Sequence, residues 1–113
     1  MNINKVNDGL SISPQITPDE VSELAKLGFG SIICNRPDGE SPNQPSFTDI
    51  RAQAKSLGLA AHYIPVVPGQ DQAENAAEFT RALSSLPGPI LAYCRSGARS
   101  AMLLSLGQPA AST

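Results

Sequence analysis

Apolar and polar positions along the chain alternate between two periods. Phe29–Cys34 (FGSIIC) and Ile90–Tyr93 are short, nearly continuous apolar runs bounded by Gly or Pro, the pattern of strands buried on both faces. Leu59–Val67 (LAAHYIPVV) reads as a third strand, confined by Pro65 to an edge or to the strand's end. Between these runs the period lengthens to that of a helix. Val21, Leu24, Ala25 and Leu27 form one apolar stripe, which Thr17-Pro18-Asp19-Glu20 opens with a cap, a first-turn proline and two acids, and which Gly28 closes. A second helix is predicted from about Ser46 to Leu57, a third over Ala73–Leu86, and a fourth from the segment after Cys94 through Leu106. Lys5–Val6 and Leu10–Ile12 flank an Asn7–Asp8–Gly9 turn and are expected to pair as short strands. Arg36–Pro45 is a loop by its Pro, Gly, Asn and Ser content, and the small, polar tail Gly107–Thr113 is expected to fray.

Strands alternating with helices imply an α/β, three-layer domain with a mainly parallel sheet flanked by helices on both faces. In such sheets ligands bind beyond the carboxyl ends of the strands. Cys34–Glu40, Val66–Gln70 and Cys94–Ser100 would then share one rim. The 113 residues suit a single domain spanning 1–113, and a 41% hydrophobic content supplies its core. Trp is absent and aromatics are few, so that core is aliphatic.

Charge and composition narrow the function classes. The net charge is -2 and no Lys/Arg cluster could track a phosphate backbone, so nucleic acid is not an expected partner. No apolar run approaches the ~20 residues needed to span a bilayer, and MNINKVNDGL lacks the apolar centre of a signal peptide. The expected setting is cytoplasmic and reducing, with both cysteines free.

Cys94 carries the candidate chemistry. It falls between a strand and a helix, in Cys94-Arg95-Ser96-Gly97-Ala98-Arg99-Ser100. The first amides of a helix have no intrahelical partners and face any anion in front of them. Gly97 lets the loop curl, so that the backbone of Arg95–Ser100, Ala98 included, can form an anion-binding nest. Arg95 and Arg99 add positive charge, and Ser96 and Ser100 offer hydroxyl donors. A thiol so placed ionises well below its free value of ~8.5 and becomes a nucleophile. Arg36 and Asp38 are the supporting candidates: Arg36 as a holder of an anionic substrate, Asp38 as general acid or orienter of Arg36, unless Pro37-Asp38-Gly39 is only a tight turn. Cys34 reads as core, with a resolving thiol as the alternative. His62, the only histidine, has no Cys/His cluster for zinc and belongs on an exposed strand position. Asp71 reads as a cap for the Ala73 helix. No metal or other cofactor is expected.

Tyr93–Ser100 (YCRSGARS) resembles the active loop of a bacterial family, the phosphatase-like domain of beta-lactamase-hydrolase-like proteins, whose members are described as phosphatases or sulfurtransferases. Asn35–Glu40 (NRPDGE), Gln44-Pro45, Gly58-Leu59 and Tyr63-Ile64-Pro65-Val66 match that family in order, extending the resemblance over about Lys5 to Leu104. It implies a fold similar to dual-specificity and protein-tyrosine phosphatases with a cysteine loop like that of rhodaneses. Family members continue through further helices, whereas this chain ends soon after Leu106. One sheet face is therefore expected to be thinly covered, or covered by a partner chain in an oligomer.

A tyrosine phosphatase loop has His before the cysteine and five residues between Cys and Arg. Here Tyr93 replaces the His and four residues separate Cys94 from Arg99. A narrower cradle favours a single sulfur over a tetrahedral phosphate. The leading expectation is thus a sulfurtransferase carrying sulfane sulfur as a Cys94 persulfide, with a small anionic sulfur donor and a thiol acceptor as partners. Phosphoester hydrolysis through a phosphocysteine is the alternative, with Arg99 binding the phosphate. A non-catalytic anion- or partner-binding module is the third.

Overall fold

The computed structural model describes residues 1–107. Five strands, β1 (Asn4–Asn7), β2 (Leu10–Ser13), β3 (Ser31–Cys34), β4 (Ala60–Tyr63) and β5 (Ile90–Tyr93), form one sheet in the order β1-β2-β5-β3-β4. The helices are α1 (Pro18–Lys26), α2 (Phe47–Ser56), α3 (Ala73–Ser85) and α4 (Ala98–Gly107). β2, β5, β3 and β4 run parallel, and β1 pairs antiparallel with β2 across the Asn7–Gly9 turn. The mainly parallel three-layer expectation holds. Gly107, the first residue of the expected fraying tail, is the last of α4, and the remainder, 108–113, lies outside the described residues. Among the described residues no helix is long and apolar enough to cross a membrane.

Strand alternation divides the core in two. Ile90 and Ala92 of β5, with Ile33, Leu10 and Ile12, join Ala76, Phe79, Ala82 and Leu103 from α3 and α4. Leu91 and Tyr93, with Ile32 and Cys34, join Val21, Leu24, Phe47, Ile50 and Ala54 from α1 and α2 on the opposite face. Each fully buried Ile, Leu or Phe contributes roughly 1.5–3 kcal/mol, so the central strands are held from both sides. β4 is half-buried along its length, as an edge strand should be, and the chain leaves it just before Pro65.

Capping fixes where α1 and α2 begin. Thr17 and Glu20 form a reciprocal capping box, and Ser46 Oγ accepts from the Asp49 amide. Asp71 Oδ1 accepts from the Ala73 amide at 2.9 Å, but the cap position of α3 is held by Gln72, whose side chain makes no capping bond, so Asp71 stands one residue before its expected place. At the amino-terminal edge of the sheet, Gly30 lies against Pro87 and Gly88. A Cβ there would come within 2.9 Å of both carbonyl oxygens, so that crossing needs glycine. All four parallel strands end on one rim, where the segments after Ser13, Cys34, Tyr63 and Tyr93 meet.

Candidate active site

Cys94 follows β5 and precedes α4, and its residue is fully buried. Gly97 adopts φ +95°, turning the loop so that its amide donates to Cys94 Sγ at 3.0 Å. The outer side of Gly97 packs on β2, where an added Cβ would lie 3.2 Å from Ile12 Cγ2. Glycine is thus required twice, by backbone conformation and by space. Burial raises the Cys94 pKa, but the backbone amides of Ser100, Arg99, Ser96 and Gly97 outweigh it and hold the thiol below its ordinary value. Two of these four amides, those of Arg99 and Ser100, come from the first turn of α4.

The remaining loop residues divide by role. Ser100 Oγ is buried and donates to Asn35 Oδ1 at 2.8 Å, while Asn35 Nδ2 donates to the Ile64 carbonyl at 2.9 Å. That hydroxyl braces the loop against β3 and the exit of β4 rather than serving the sulfur. Ser96 Oγ accepts from the Ala98 amide at 3.3 Å. Arg95 is exposed, and its carbonyl accepts from the Gln15 amide at 3.3 Å, tying the loop to the segment after β2.

Arg99 lies beside Cys94 and is gripped by Glu40: Nη1 donates to Oε2 at 2.7 Å and Nη2 to Oε1 at 2.8 Å. Nη1 also donates to the Val66 carbonyl at 3.2 Å. The bonds and charges of Arg99, followed by those of Arg36, overcome the cost of burial and lower the Glu40 carboxyl to about 2.

Arg36 departs from its expected role as an anion holder. Its side chain is 5% exposed, and its nitrogens go to Glu40 Oε1 (3.1 Å), Gln15 Oε1 (3.1 Å) and Ser41 Oγ (3.3 Å). Asp38 departs as well, being neither partnered to Arg36 nor turned on the cysteine. Its Oδ1 accepts from the Phe47 amide at 2.8 Å, fastening the loop to the start of α2. Its own amide donates to Tyr63 Oη at 2.9 Å. The residues that do meet the cysteine loop, Asn35 and Glu40, stand in the same NRPDGE segment. A cue existed for Asn35, which directly follows β3 at the level of Cys94; Glu40, four residues after Arg36 and farther from it than Asp38, carried none.

Cys34 belongs to the core beneath α1 and α2, where Sγ donates to the Arg36 carbonyl at 3.3 Å. Burial pushes its pKa up, the opposite of Cys94. Tyr93 Oη is buried near Cys34 and Gln15 without a hydrogen-bond partner in good geometry. Its ring belongs to the core cluster beneath α1 and α2. His62 pairs with Glu78 of α3 at 2.9 Å on the half-exposed edge strand.

Comparison with known proteins finds relatives over nearly the whole chain. The family model described as "Beta-lactamase hydrolase-like protein, phosphatase-like domain" matches residues 2–111. Beta-lactamase hydrolase-like proteins of Xylella fastidiosa (Temecula1) and Agrobacterium fabrum are 39% and 33% identical over 96% and 92% of the chain. The chain spans about a quarter of the length of these curated relatives, 25% and 24%. A solved structure from Neisseria meningitidis, described as that of a candidate phosphatase, is 36% identical. It superposes with a TM-score of 0.85 over 96% of this chain and 81% of its own. The core catalytic domain of a PP-IP phosphatase from S. cerevisiae shares the fold, with a TM-score of 0.71 at 19% identity over 91% of this chain and 62% of that one.

Proposed function

This chain belongs to the phosphatase-like domain family of beta-lactamase hydrolase-like proteins, and from that premise we propose that it is a cysteine-dependent phosphoester hydrolase with Cys94 as nucleophile. The observation that carries the reading is the buried Cys94 sulfur, which accepts from the Gly97 amide at 3.0 Å and is held below its ordinary pKa with the help of the Ser100, Arg99 and Ser96 amides. Such a cradle stabilises a thiolate before substrate arrives and phosphoryl oxygens afterwards. Arg99 beside it supplies the fixed positive charge.

The expectation of sulfur transfer rested on the four residues between Cys94 and Arg99, on Tyr93 standing where a tyrosine phosphatase has His, and on the want of a convincing general acid; the first of these weighs least. That count undervalues the cradle, because the amides of Arg99 and Ser100 belong to α4 and add to it independently of loop length. The family and the phosphatase fold of the neighbouring structures favour the phosphoester alternative.

In the proposed reaction the thiolate attacks phosphorus in line. The Sγ–P bond forms as the bond to the leaving oxygen breaks, and that oxygen departs with the electron pair. Water then attacks the phosphocysteine, releasing phosphate and restoring the thiolate. Neither carboxylate of the NRPDGE loop is set to protonate the leaving group. Asp38 accepts from the Phe47 amide, and Glu40 is held ionised by Arg99 and Arg36. Phosphoesters with acidic leaving groups, aryl phosphates above all, are therefore the substrates this site suits.

The test is steady-state hydrolysis of an aryl phosphate by the wild type and Cys94→Ser, with acid-quenched intact-mass detection of a phosphoryl adduct. A loss of ~10³-fold or more in the variant, with the adduct confined to the wild type, is expected. Persulfide formation from thiosulfate without phosphate turnover would refute the assignment.

A further inference from the structure

We propose that Glu40 is the positioning residue for Arg99, anchored from behind by Arg36 and working on the reaction only through the guanidinium it holds. This inference rests on the phosphoester reading of the Cys94 site.

The argument starts at Arg36, which is buried and has Nε, Nη1 and Nη2 each committed, to Glu40, Gln15 and Ser41. Swinging it toward a substrate would break three contacts and strand a buried charge. Its work is internal: it supplies the counter-charge that keeps Glu40 in place. Glu40 then uses both oxygens on Arg99, at 2.7 and 2.8 Å. A bidentate pair fixes the plane of a guanidinium as well as its position. The Val66 carbonyl adds a third restraint from the β4 exit, at 3.2 Å. All of these contacts fall on Nη1 and Nη2. The same guanidinium also reaches the Cys94 thiol, so it stands beside the place where a phosphoryl group on that sulfur would lie. With a carboxyl lowered to about 2, Glu40 keeps its charge at any working pH.

A rival role follows from the same contacts. Glu40 could instead be an internal competitor that an incoming phosphate must displace from Arg99. The two roles differ in sign. Removing a competitor raises turnover and anion affinity, whereas removing a positioning group lowers both. The anchoring of Glu40 by a three-fold-held Arg36 favours positioning, since a displaceable group would not be fastened from behind.

The experiment uses Glu40→Gln and Glu40→Asp in the full chain. Asp keeps the counter-charge for Arg36 yet is one methylene short of a bidentate grip on Arg99, so it separates geometry from charge and guards against a folding defect in the Gln variant. Three readouts are taken: kcat on an aryl phosphate, calorimetric binding of orthovanadate, and the ¹⁵N spectrum of the Arg99 guanidinium. Both variants should lose about 10- to 100-fold in kcat, bind vanadate more weakly, and show the separate wild-type Nη signals of Arg99 merged by free rotation. Wild-type or improved kcat and vanadate binding in both variants would overturn the proposal. If the wild type neither hydrolyses phosphoesters nor binds vanadate, the functional reading falls alone. The guanidinium spectrum then decides this inference: merged signals in both variants sustain the grip, and unchanged signals refute it.

Discussion

Two loops on one rim reach Cys94 by opposite means. The cysteine loop works through its backbone: the amides of Ser96, Gly97, Arg99 and Ser100 face the sulfur, and their placement follows from a glycine and a helix start. The Asn35–Ser41 loop works through side chains, and nearly all of them are spent on one another or on neighbouring elements. Arg36 goes to Glu40, Gln15 and Ser41; Asp38 goes to Phe47; Asn35 goes to Ile64 and Ser100. A backbone site is dictated locally, so substituting its key residue should damage chemistry more than stability. A side-chain lattice is dictated by tertiary packing, so most substitutions in it should damage stability first.

The sharpest attack on the first half of that contrast is Gly97→Ala. An alanine at φ +95° costs ~1–2 kcal/mol, and its Cβ presses on Ile12 Cγ2 from 3.2 Å. The simplest relief swings the Gly97 amide away from Sγ. Losing one such donor should cost about 10²-fold in kcat, and the pH profile of Cys94 alkylation should shift upward because one of the thiolate's hydrogen bonds is gone. A variant with unchanged alkylation and unchanged kcat would mean that the cradle does not depend on this amide.

Asp38 tests the second half with a smaller effect. Asparagine retains an oxygen for the Phe47 amide, so Asp38→Asn should keep kcat within a few-fold and melt near the wild type. Asp38→Ala loses that contact and should be destabilised by ~1 kcal/mol, as for other lost helix-terminal caps, with kcat again little changed. A hundredfold drop in kcat for the Asn variant, with melting intact, would return Asp38 to the chemistry.

The same contrast explains what the amino-acid order made legible. Every element was visible as a run or a stripe, because β3 and β5 are buried on both faces and α1 carries its own caps. Cys94 and its cradle were visible too, since strand, Cys, Gly and helix start are consecutive. The partners of Arg36 were not. Gln15 lies 21 positions before it, and Glu40 turns back to meet Arg99, 59 positions away. Only the sheet order β2-β5-β3 brings these segments together. Asp38 was left between chemistry and a tight turn for the same reason: the amide it accepts from belongs to a helix nine residues on. Spacing between Cys94 and Arg99 is a weaker signal of a different kind, since it counts residues and not the direction of their amides.

The smallest expected effect is a pH dependence of stability, and it isolates the lattice from the cradle. Glu40 has its carboxyl lowered from 4.5 to about 2 in the folded chain, with the Arg99 hydrogen bonds as the leading cause. A depressed carboxyl binds fewer protons folded than unfolded, so its contribution is complete above pH 4.5 and is lost as the pH falls toward 2. Thermal melting of the wild type should therefore decline across that window more steeply than melting of Glu40→Gln, which has no proton to take up there. Part of the exposed side chain's interaction is screened by solvent and salt, so raising the ionic strength should narrow the gap between the two curves. Cys94→Ser should leave the gap unchanged, because a serine removes the thiol and keeps every partner of Glu40. Parallel acid profiles for wild type and Glu40→Gln would mean that the ion pair contributes nothing to the fold, and that Arg36 is held by Gln15 and Ser41 alone.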